Sequence, residues 1–496
     1  MQKRIVVKNS VYSFCNYGLL IILSFVTRRA LISSFSIEYA GYEAVFSDIF
    51  TLLSIADMGM DSIISYRLYE KIVDGRQGIA EVMFAAKKIY NNIAKGVLML
   101  GGCLIIFFPF FFSDHKYDLR FIIIIYIIQL LNLVISYMTG YKRLLMIADQ
   151  KEYICLQWDA IISTIVQITR ILVLVLCKNY YYYILLCIVQ TLGQNIGINI
   201  KCDKEYGNHV CQKEMVRKEM NDTKKDMGSF LFHRISAVIY AATDNVVITA
   251  ILGLASAGLY SNYYLITKYT YTFVSKIMKP MQASIGNFIY GRENVEKKYD
   301  LLKKLNIVAY FIAIFMCMSL IQSTNLFIDV WLGESYQLNR NLVVLMSLNI
   351  YIAINQDFIY YFRNSFGQYD FDKYYMIFSA VANVILSIIL GRYWGLEGVA
   401  FGTIIGHLFI WYGRVKFVYQ NYFHKNLFRY WMVEALKIFV LVGQLYILDI
   451  ITENILDNGI AGIIRRELYV IGVVGFIGLI WIIYYKRMCV KKKESF

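Results

Sequence analysis

Apolar residues run along this chain in long unbroken stretches of roughly 18 to 25 residues, each the length that a helix needs to cross a bilayer. Short polar joins alternate with longer, charge-rich ones. The pattern predicts fourteen membrane helices: Val11–Phe35, Gly41–Tyr66, Ile93–Ser113, Leu119–Gly140, Tyr153–Cys177, Tyr180–Ile200, Gly228–Leu252, Ala257–Met281, Leu305–Ser323, Asn341–Phe362, Tyr375–Trp394, Leu396–Gly413, Trp431–Ile450 and Leu468–Tyr485. The tight joins are Lys178–Asn179, Gly253–Ser256 and Trp394–Gly395. The expected fold class is an all-α polytopic membrane protein. The first apolar run lacks a convincing cleavage site and reads as a retained helix, not a signal peptide.

Composition agrees. The chain has 496 residues, 58% hydrophobic and 17% charged, and only two prolines. Its net charge of +15 would fit a nucleic-acid binder if the basic residues formed one patch. They do not. With an even number of helices both termini share a side, and that side holds Lys3 to Lys8, Arg67 to Lys95, Lys142 to Lys151, Lys201 to Lys225, Arg292 to Lys304, Arg414 to Arg429 and Lys486 to Lys493. This is the positive-inside distribution, so both termini are expected in the cytoplasm and no nucleic-acid partner is expected. Membrane lipid is the expected neighbour of these charges. The nine cysteines form no metal or disulfide framework, since most lie in apolar segments.

Two segments read alike. Glu38-Tyr39-Ala40-Gly41-Tyr42 opens the second predicted span, and Ala255-Ser256-Ala257-Gly258-Leu259-Tyr260 opens the eighth. An offset of six spans gives two halves of the same orientation, as in parallel repeats. Ala-Gly at a helix start also marks close helix packing. The repeat divides the chain into an N-lobe of six helices (1–200), a cytoplasmic linker (201–227), a C-lobe of six helices (228–413) and a terminal helix pair with a basic tail (414–496), the lobes surrounding a central cavity.

Thr27-Arg28-Arg29, the Glu38–Tyr42 stretch and Ile55-Ala56-Asp57-Met58-Gly59-Met60 resemble the opening of Wzx-type polysaccharide flippases. Asp244-Asn245-Val246-Val247-Ile248, followed by Leu252-Gly253 and Ala257-Gly258-Leu259-Tyr260, resembles their middle. These flippases belong to the multidrug/oligosaccharidyl-lipid/polysaccharide (MOP) exporter superfamily. The resemblance implies a transporter that is not an enzyme. Its cargo would be an oligosaccharide repeat unit on undecaprenyl pyrophosphate, moved from the inner to the outer leaflet of a bacterial cytoplasmic membrane by alternating access. A polysaccharide polymerase and other biosynthesis proteins would follow as partners, for capsule, exopolysaccharide or O-antigen. No cofactor is implied; H+ or Na+ coupling is. No nucleotide site is implied either, and the sequence has no GxxxxGK[ST] stretch. Lipid II flippases and drug exporters share the fold. A cavity rich in Arg and Lys would repel the cations that drug exporters usually carry. A membrane-embedded polymerase would be expected to have larger outer loops.

An ionisable side chain inside an apolar helix costs roughly 2.5–3.5 kcal/mol on insertion scales, so each one is a candidate for function. Arg28 and Arg29 lie near the outer end of the first span and match the family stretch. They either snorkel or grip pyrophosphate, for which the planar guanidinium is suited. Arg170 in the fifth span and Asp244 in the seventh lie at similar depth. They read either as an ion pair or as a cavity cation with a gating carboxylate. Lys268 and Lys276 share a helix face with Thr272 and Ser275, a polar stripe expected to face water. Arg234, beside His233, would mark the cytoplasmic entrance. Asp57, Asp61 and Asp357 are candidates for binding a proton or sodium, or for neutralising Arg67 and Arg234. His407 is a lone histidine that reads as packed and hydrogen-bonded, or else as a proton relay.

Overall fold

The computed structural model describes residues 2–57, 59–73, 78–112, 118–207, 238, 242–366, 373–453 and 459–494. Among them every regular element is a helix. The chain forms two compact units, Met1–Gly258 and Leu259–Phe496.

The first unit contains α1 (Gln2–Ser34), α2 (Ile37–Leu53), α3 (Met60–Val73), α4 (Ile79–Leu104), α5 (Leu119–Gly140), the short α6 (Arg143–Ala148), α7 (Glu152–Leu172), α8 (Tyr180–Tyr206) and α9 (Asp244–Leu252). α10 (Leu254–Met278) starts there and continues into the second unit. The second unit adds α11 (Met281–Tyr290), α12 (Val295–Trp331), α13 (Arg340–Ser365), α14 (Lys373–Val415), α15 (Leu427–Glu453) and α16 (Gly459–Glu494).

Among the described residues nine helices are long and apolar enough to cross a membrane: Tyr17–Ser34, Ile79–Phe107, Leu119–Gly140, Glu152–Cys177, Tyr180–Tyr206, Val295–Trp331, Arg340–Ser365, Tyr374–Tyr422 and Leu427–Thr452. A tenth is broken, Ile37–Asp57 with Met60–Ile72, bent by 44°. Tyr374–Tyr422 contains two predicted spans. They meet at Gly395, whose φ of 63° is in the region that favours glycine, at the join expected from the sequence. The predicted seventh span falls largely outside the described residues; its end is α9. The predicted eighth span is helical as α10, but the polar residues Ser256, Ser261, Asn262, Thr267, Thr270 and Thr272 lower its hydropathy.

The sequence differs from the structure at two joins. The second span was expected to be continuous from Gly41 to Tyr66. It breaks after Ser54–Asp57, a single tight turn, because Gly59 takes φ +73° and donates its N–H to Asp57 Oδ1 at 3.0 Å. The join expected over Gly253–Ser256 is one residue long. Gly253, at φ +85°, alone separates α9 from α10.

Apolar side chains face outward along these helices, including Ile22, Leu176, Phe439 and Leu436. That is expected where the solvent is lipid. Each unit nevertheless has an interior. In the first, Met60, Ile64 and Leu68 of α3 pack with Val82 and Ala86 of α4, Leu145 and Met146 of α6 and Ile198 of α8. In the second, α12 and α13 are the central pair, and Trp411, Val415 and Tyr430 close around them. Aromatic residues fill one end of the first unit, where Phe46, Phe108 and Tyr126 contact one another.

Within the first unit the backbones of the two Ala-Gly stretches approach each other closely. A Cβ at Gly41 would sit 2.3 Å from the Leu254 carbonyl oxygen, and one at Gly258 would sit 2.2 Å from the Ile37 carbonyl oxygen. Both obstacles are backbone atoms and cannot rotate away. Gly41→Ala or Gly258→Ala is therefore expected to destabilise the protein by about 1–3 kcal/mol or more. Fluorescence-detected size exclusion after a temperature ramp reads this directly. A melting temperature equal to that of the native protein for both variants would contradict the packing.

Candidate functional site

The first unit holds a polar cluster among α1, α2, α7 and α8. Arg28 comes from α1, which packs along α7. Its Nη1 lies 3.5 Å from Glu43 Oε2 and donates to the Ala40 carbonyl at 3.3 Å. Glu43 projects from α2, and its Oε1 accepts the Tyr183 hydroxyl of α8 at 2.5 Å. Arg170 of α7 donates from Nη2 to Cys187 Sγ at 2.9 Å and stands over the Tyr183 ring at 5.6 Å. Its Nε is buried with no hydrogen-bond partner among the described residues. Thr27 next to Arg28 donates to Gln167 Oε1 at 3.0 Å, which fixes the depth of α1 against α7.

Among the described residues this arrangement has two guanidinium groups and one carboxylate. The two arginines that the sequence singled out separately are brought to the same glutamate–tyrosine pair. Arg170 contacts Cys187 and Tyr183, not Asp244. Arg29 is exposed. Glu43, Tyr183 and Cys187 were missed by the sequence reading. Glu43 had a usable signal, because it is an ionisable residue inside a predicted span fifteen residues beyond Arg28. Tyr183 was hidden in the run Tyr180–Tyr183, which reads as an interfacial belt.

Two carboxylates sit at the break in the second span. Asp57 is buried, capped by Gly59 N–H, and its Oδ2 lies 3.4 Å from the Tyr137 hydroxyl. Asp61 accepts the hydroxyl of Tyr90. Tyr90 and Tyr137 stack, with centroids 6.2 Å apart.

Asp244 is the first residue of α9 and is half-buried. Its neighbour Asn245 is held by α2. Asp48 of α2 accepts both the Asn245 backbone N–H and its side-chain amide, each at 3.0 Å. A buried carboxylate thus serves the start of a helix almost 200 positions away in sequence, where the helix dipole also favours it.

In the second unit Asp357 is buried on α13. Its Oδ1 accepts the Tyr271 hydroxyl at 3.0 Å, while Oδ2 has no hydrogen-bond partner among the described residues. The preceding Gln356 accepts from Arg414 at 2.9 Å, and Arg414 lies over Tyr360 at 4.5 Å. His407 Nδ1 is 3.0 Å from Asn349 Oδ1. Lys268 is exposed on α10 and makes no ion pair among the described residues; Lys276 is half-buried. Arg234 and His233 lie outside the described residues.

Ion pairs also tie α6, α7 and α8 together. Arg143 makes a paired contact with Asp159 at 2.5 and 2.8 Å. Burial opposes the charge of Arg143, but the Asp159 carboxylate outweighs it and raises the pKa. Burial likewise opposes the Lys151 ammonium, and its hydrogen bonds to Asp149 and Glu205 raise it above the ordinary lysine value. Both residues stay charged at neutral pH.

A family model described as "Polysaccharide biosynthesis protein" matches residues 6–282, more than half of the chain. An uncharacterized membrane protein of Methanocaldococcus jannaschii is 26% identical over 113 residues, which is 23% of this chain and 22% of that protein. The chain therefore spans less than a quarter of that relative's length. Among solved structures, the lipid II flippase MurJ in an inward closed conformation superposes with TM-score 0.71 at 15% identity, covering 97% of this chain and all of that one. An inward-facing multidrug resistance MATE family transporter of the MOP superfamily gives TM-score 0.57 at 13% identity over 82% of this chain and 98% of that one. These structures share the fold.

The Asp48 contact yields a prediction. Asp48→Ala strands the Asn245 N–H groups and is expected to cost about 1–3 kcal/mol. Asp48→Asn keeps one acceptor oxygen and is expected to cost less. The check is the melting temperature of the purified protein in detergent, and equal melting of Asp48→Ala and the native chain would show that the cap is dispensable.

Proposed function

We propose, on the premise that this chain belongs to the polysaccharide biosynthesis protein family and has the fold of MOP-superfamily transporters, that it flips undecaprenyl-pyrophosphate-linked oligosaccharide repeat units from the inner to the outer leaflet. The observation that carries the substrate class is the cluster of Arg28, Arg170 and Glu43, two guanidinium groups with one carboxylate among the described residues. Arg28 pairs with Glu43, Arg170 reaches the same carboxylate only through Tyr183, and Arg170 Nε is buried with no hydrogen-bond partner among the described residues. A desolvated guanidinium pair of this kind suits a pyrophosphate, whose oxygens can accept paired charge-assisted hydrogen bonds. It is ill suited to the organic cations of a drug exporter. Lipid II carries the same pyrophosphate, so the grip alone does not separate the two cargoes; the family match favours a polysaccharide repeat unit.

Lys268, Lys276, Arg29 and Arg234 are further cationic candidates for contact with the cargo. The reading keeps a layout of fourteen helices as two six-helix lobes with a terminal pair, both termini in the cytoplasm and the protein in the bacterial cytoplasmic membrane. Bonds in the cargo are unchanged. Direction comes from an ion gradient or from consumption of the product by a polysaccharide polymerase. Asp357 is the favoured coupling group, since an oxygen without a hydrogen-bond partner on a buried carboxylate can take a proton or sodium. Asp57, Asp61 and Asp244 are secondary, because Tyr137 and Tyr90 already engage the first two and Asp244 opens α9. The hydrogen bond of His407 to Asn349 supports a packing role over a relay.

Two experiments follow. Alanine at Arg28 or Arg170 is expected to lower flipping in liposomes about tenfold or more, since a hydrogen bond to a charged group contributes about 1.5–3 kcal/mol. Membrane abundance should stay near normal. Lysine at Arg28 should restore less than lysine restores at an exposed site, because it lacks the planar fork. Full flipping by both alanine variants would reject the cationic grip. For coupling, Asp357→Asn should leave the fold intact and abolish the response to an imposed H+ or Na+ gradient. If Asp357→Asn responds like the native protein, the coupling site is elsewhere.

A further inference from the structure

Glu43 is placed where a bound anion would go. One of its oxygens faces Arg28 at 3.5 Å, longer than the 2.7–2.9 Å of a direct charged hydrogen bond. The other is held at 2.5 Å by the Tyr183 hydroxyl. Arg28 directs its own hydrogen bond to the Ala40 carbonyl. The ion pair is therefore loose and one-sided, and it is also reachable. The Arg28 and Glu43 side chains keep 13% and 23% of their surface exposed. Arg170 is tied to the same point through the Tyr183 ring and has a spare N–H.

We infer that Glu43 is a positioning residue that serves as the resting counter-ion of Arg28 and gives Arg28 up to the pyrophosphate of the cargo. The inference rests on the pyrophosphate reading above. Without cargo, two guanidinium groups in a low-dielectric setting need at least one carboxylate close by, since stranding a buried charge is strongly unfavourable. With cargo, a phosphate can offer Arg28 two oxygens in the plane of its fork and can also reach the spare Arg170 N–H. Glu43 then stays on Tyr183, which keeps it from repelling the phosphate at closer range. When the cargo leaves, Glu43 takes Arg28 back. The carboxylate weakens binding by competing with the cargo, and the same competition speeds release. A transporter needs that balance, because a site that holds its cargo too tightly in one state does not turn over.

The test uses purified full-length protein in nanodiscs, with undecaprenyl pyrophosphate as the probe and a zwitterionic phospholipid as control. Binding is read by native mass spectrometry and flipping by a liposome assay. Glu43→Gln is expected to bind the probe about tenfold tighter and to flip it more slowly, whereas a merely structural role would weaken both. Arg28→Ala should weaken binding. In the native chain, the Glu43 peptide should react faster with dicyclohexylcarbodiimide when the probe is added, because Arg28 then no longer covers its carboxylate. This readout does not depend on any variant folding. If the native protein does not prefer the probe to the control, the pyrophosphate reading falls, and this inference falls with it. If the native protein binds the probe and Arg28→Ala weakens it, two results overturn the exchange alone: unchanged affinity in Glu43→Gln, or carbodiimide labelling that stays constant or drops.

Discussion

Helices in lipid gain little by pressing apolar surfaces together, since the surrounding tails are as apolar as leucine. What holds them is close backbone approach and a small number of polar contacts. In the first unit both meet at one place, where α2 crosses the α9–α10 turn. Gly41 and Gly258 let two backbones touch at distances that no Cβ would allow. A few residues along α2, Asp48 fastens the start of α9. Glu43 lies between them in sequence, so its position depends on this crossing. Its carboxylate reaches both Arg28 and Tyr183 only if α2 is fixed against its neighbours. Small residues repeat the device elsewhere. Gly402 lies against Ser387 within the hairpin of α14, and Gly193 accepts the Trp158 indole N–H between α7 and α8.

This explains which parts of the molecule could be read from sequence. Helix positions were legible because membrane length and hydropathy are set by the solvent, one helix at a time. The joins at Lys178–Asn179 and Trp394–Gly395 were legible for the same reason: the apolar run stops there, and Asn179 caps the next helix by accepting from Tyr181 and Tyr182. The break after Asp57 was not, because hydropathy barely registers a glycine at φ +73° inside an apolar stretch. The stretch Ile55–Met60 was recognised as a family likeness before its physical meaning was visible. Asp57 and Gly59 together make the turn.

The charges show the other limit. Sequence can say that an arginine lies inside a span, but it cannot say what the arginine meets. Arg170 and Asp244 have similar calculated depths and look like a pair; in the structure Arg170 faces Cys187 and Tyr183. The resemblance fared better as a guide to place than to role. Arg28 belongs to the recognised stretch, and the polar cluster forms around it. Gly41 and Gly258 belong to it as well, but their contribution is packing. A shared motif in a membrane protein can thus record a contact that keeps the helices together as readily as a contact with the cargo.

The two kinds of contact are coupled here by a simple physical argument. A cluster with more cations than anions is unstable in a dry interior unless rigid neighbours hold it or an outside anion completes it. Tight packing around α2 supplies the rigidity. It holds Arg28 against Glu43 and Arg170 against Tyr183 and Cys187, with Glu43 the one carboxylate of the cluster among the described residues. Softer packing would let further carboxylates or backbone carbonyls collapse onto the guanidinium groups and satisfy them permanently. Preserving an unmet demand for negative charge therefore requires a scaffold that cannot relax. The glycine contacts and the Asp48 cap are, on this argument, what would keep the proposed site open to an anion.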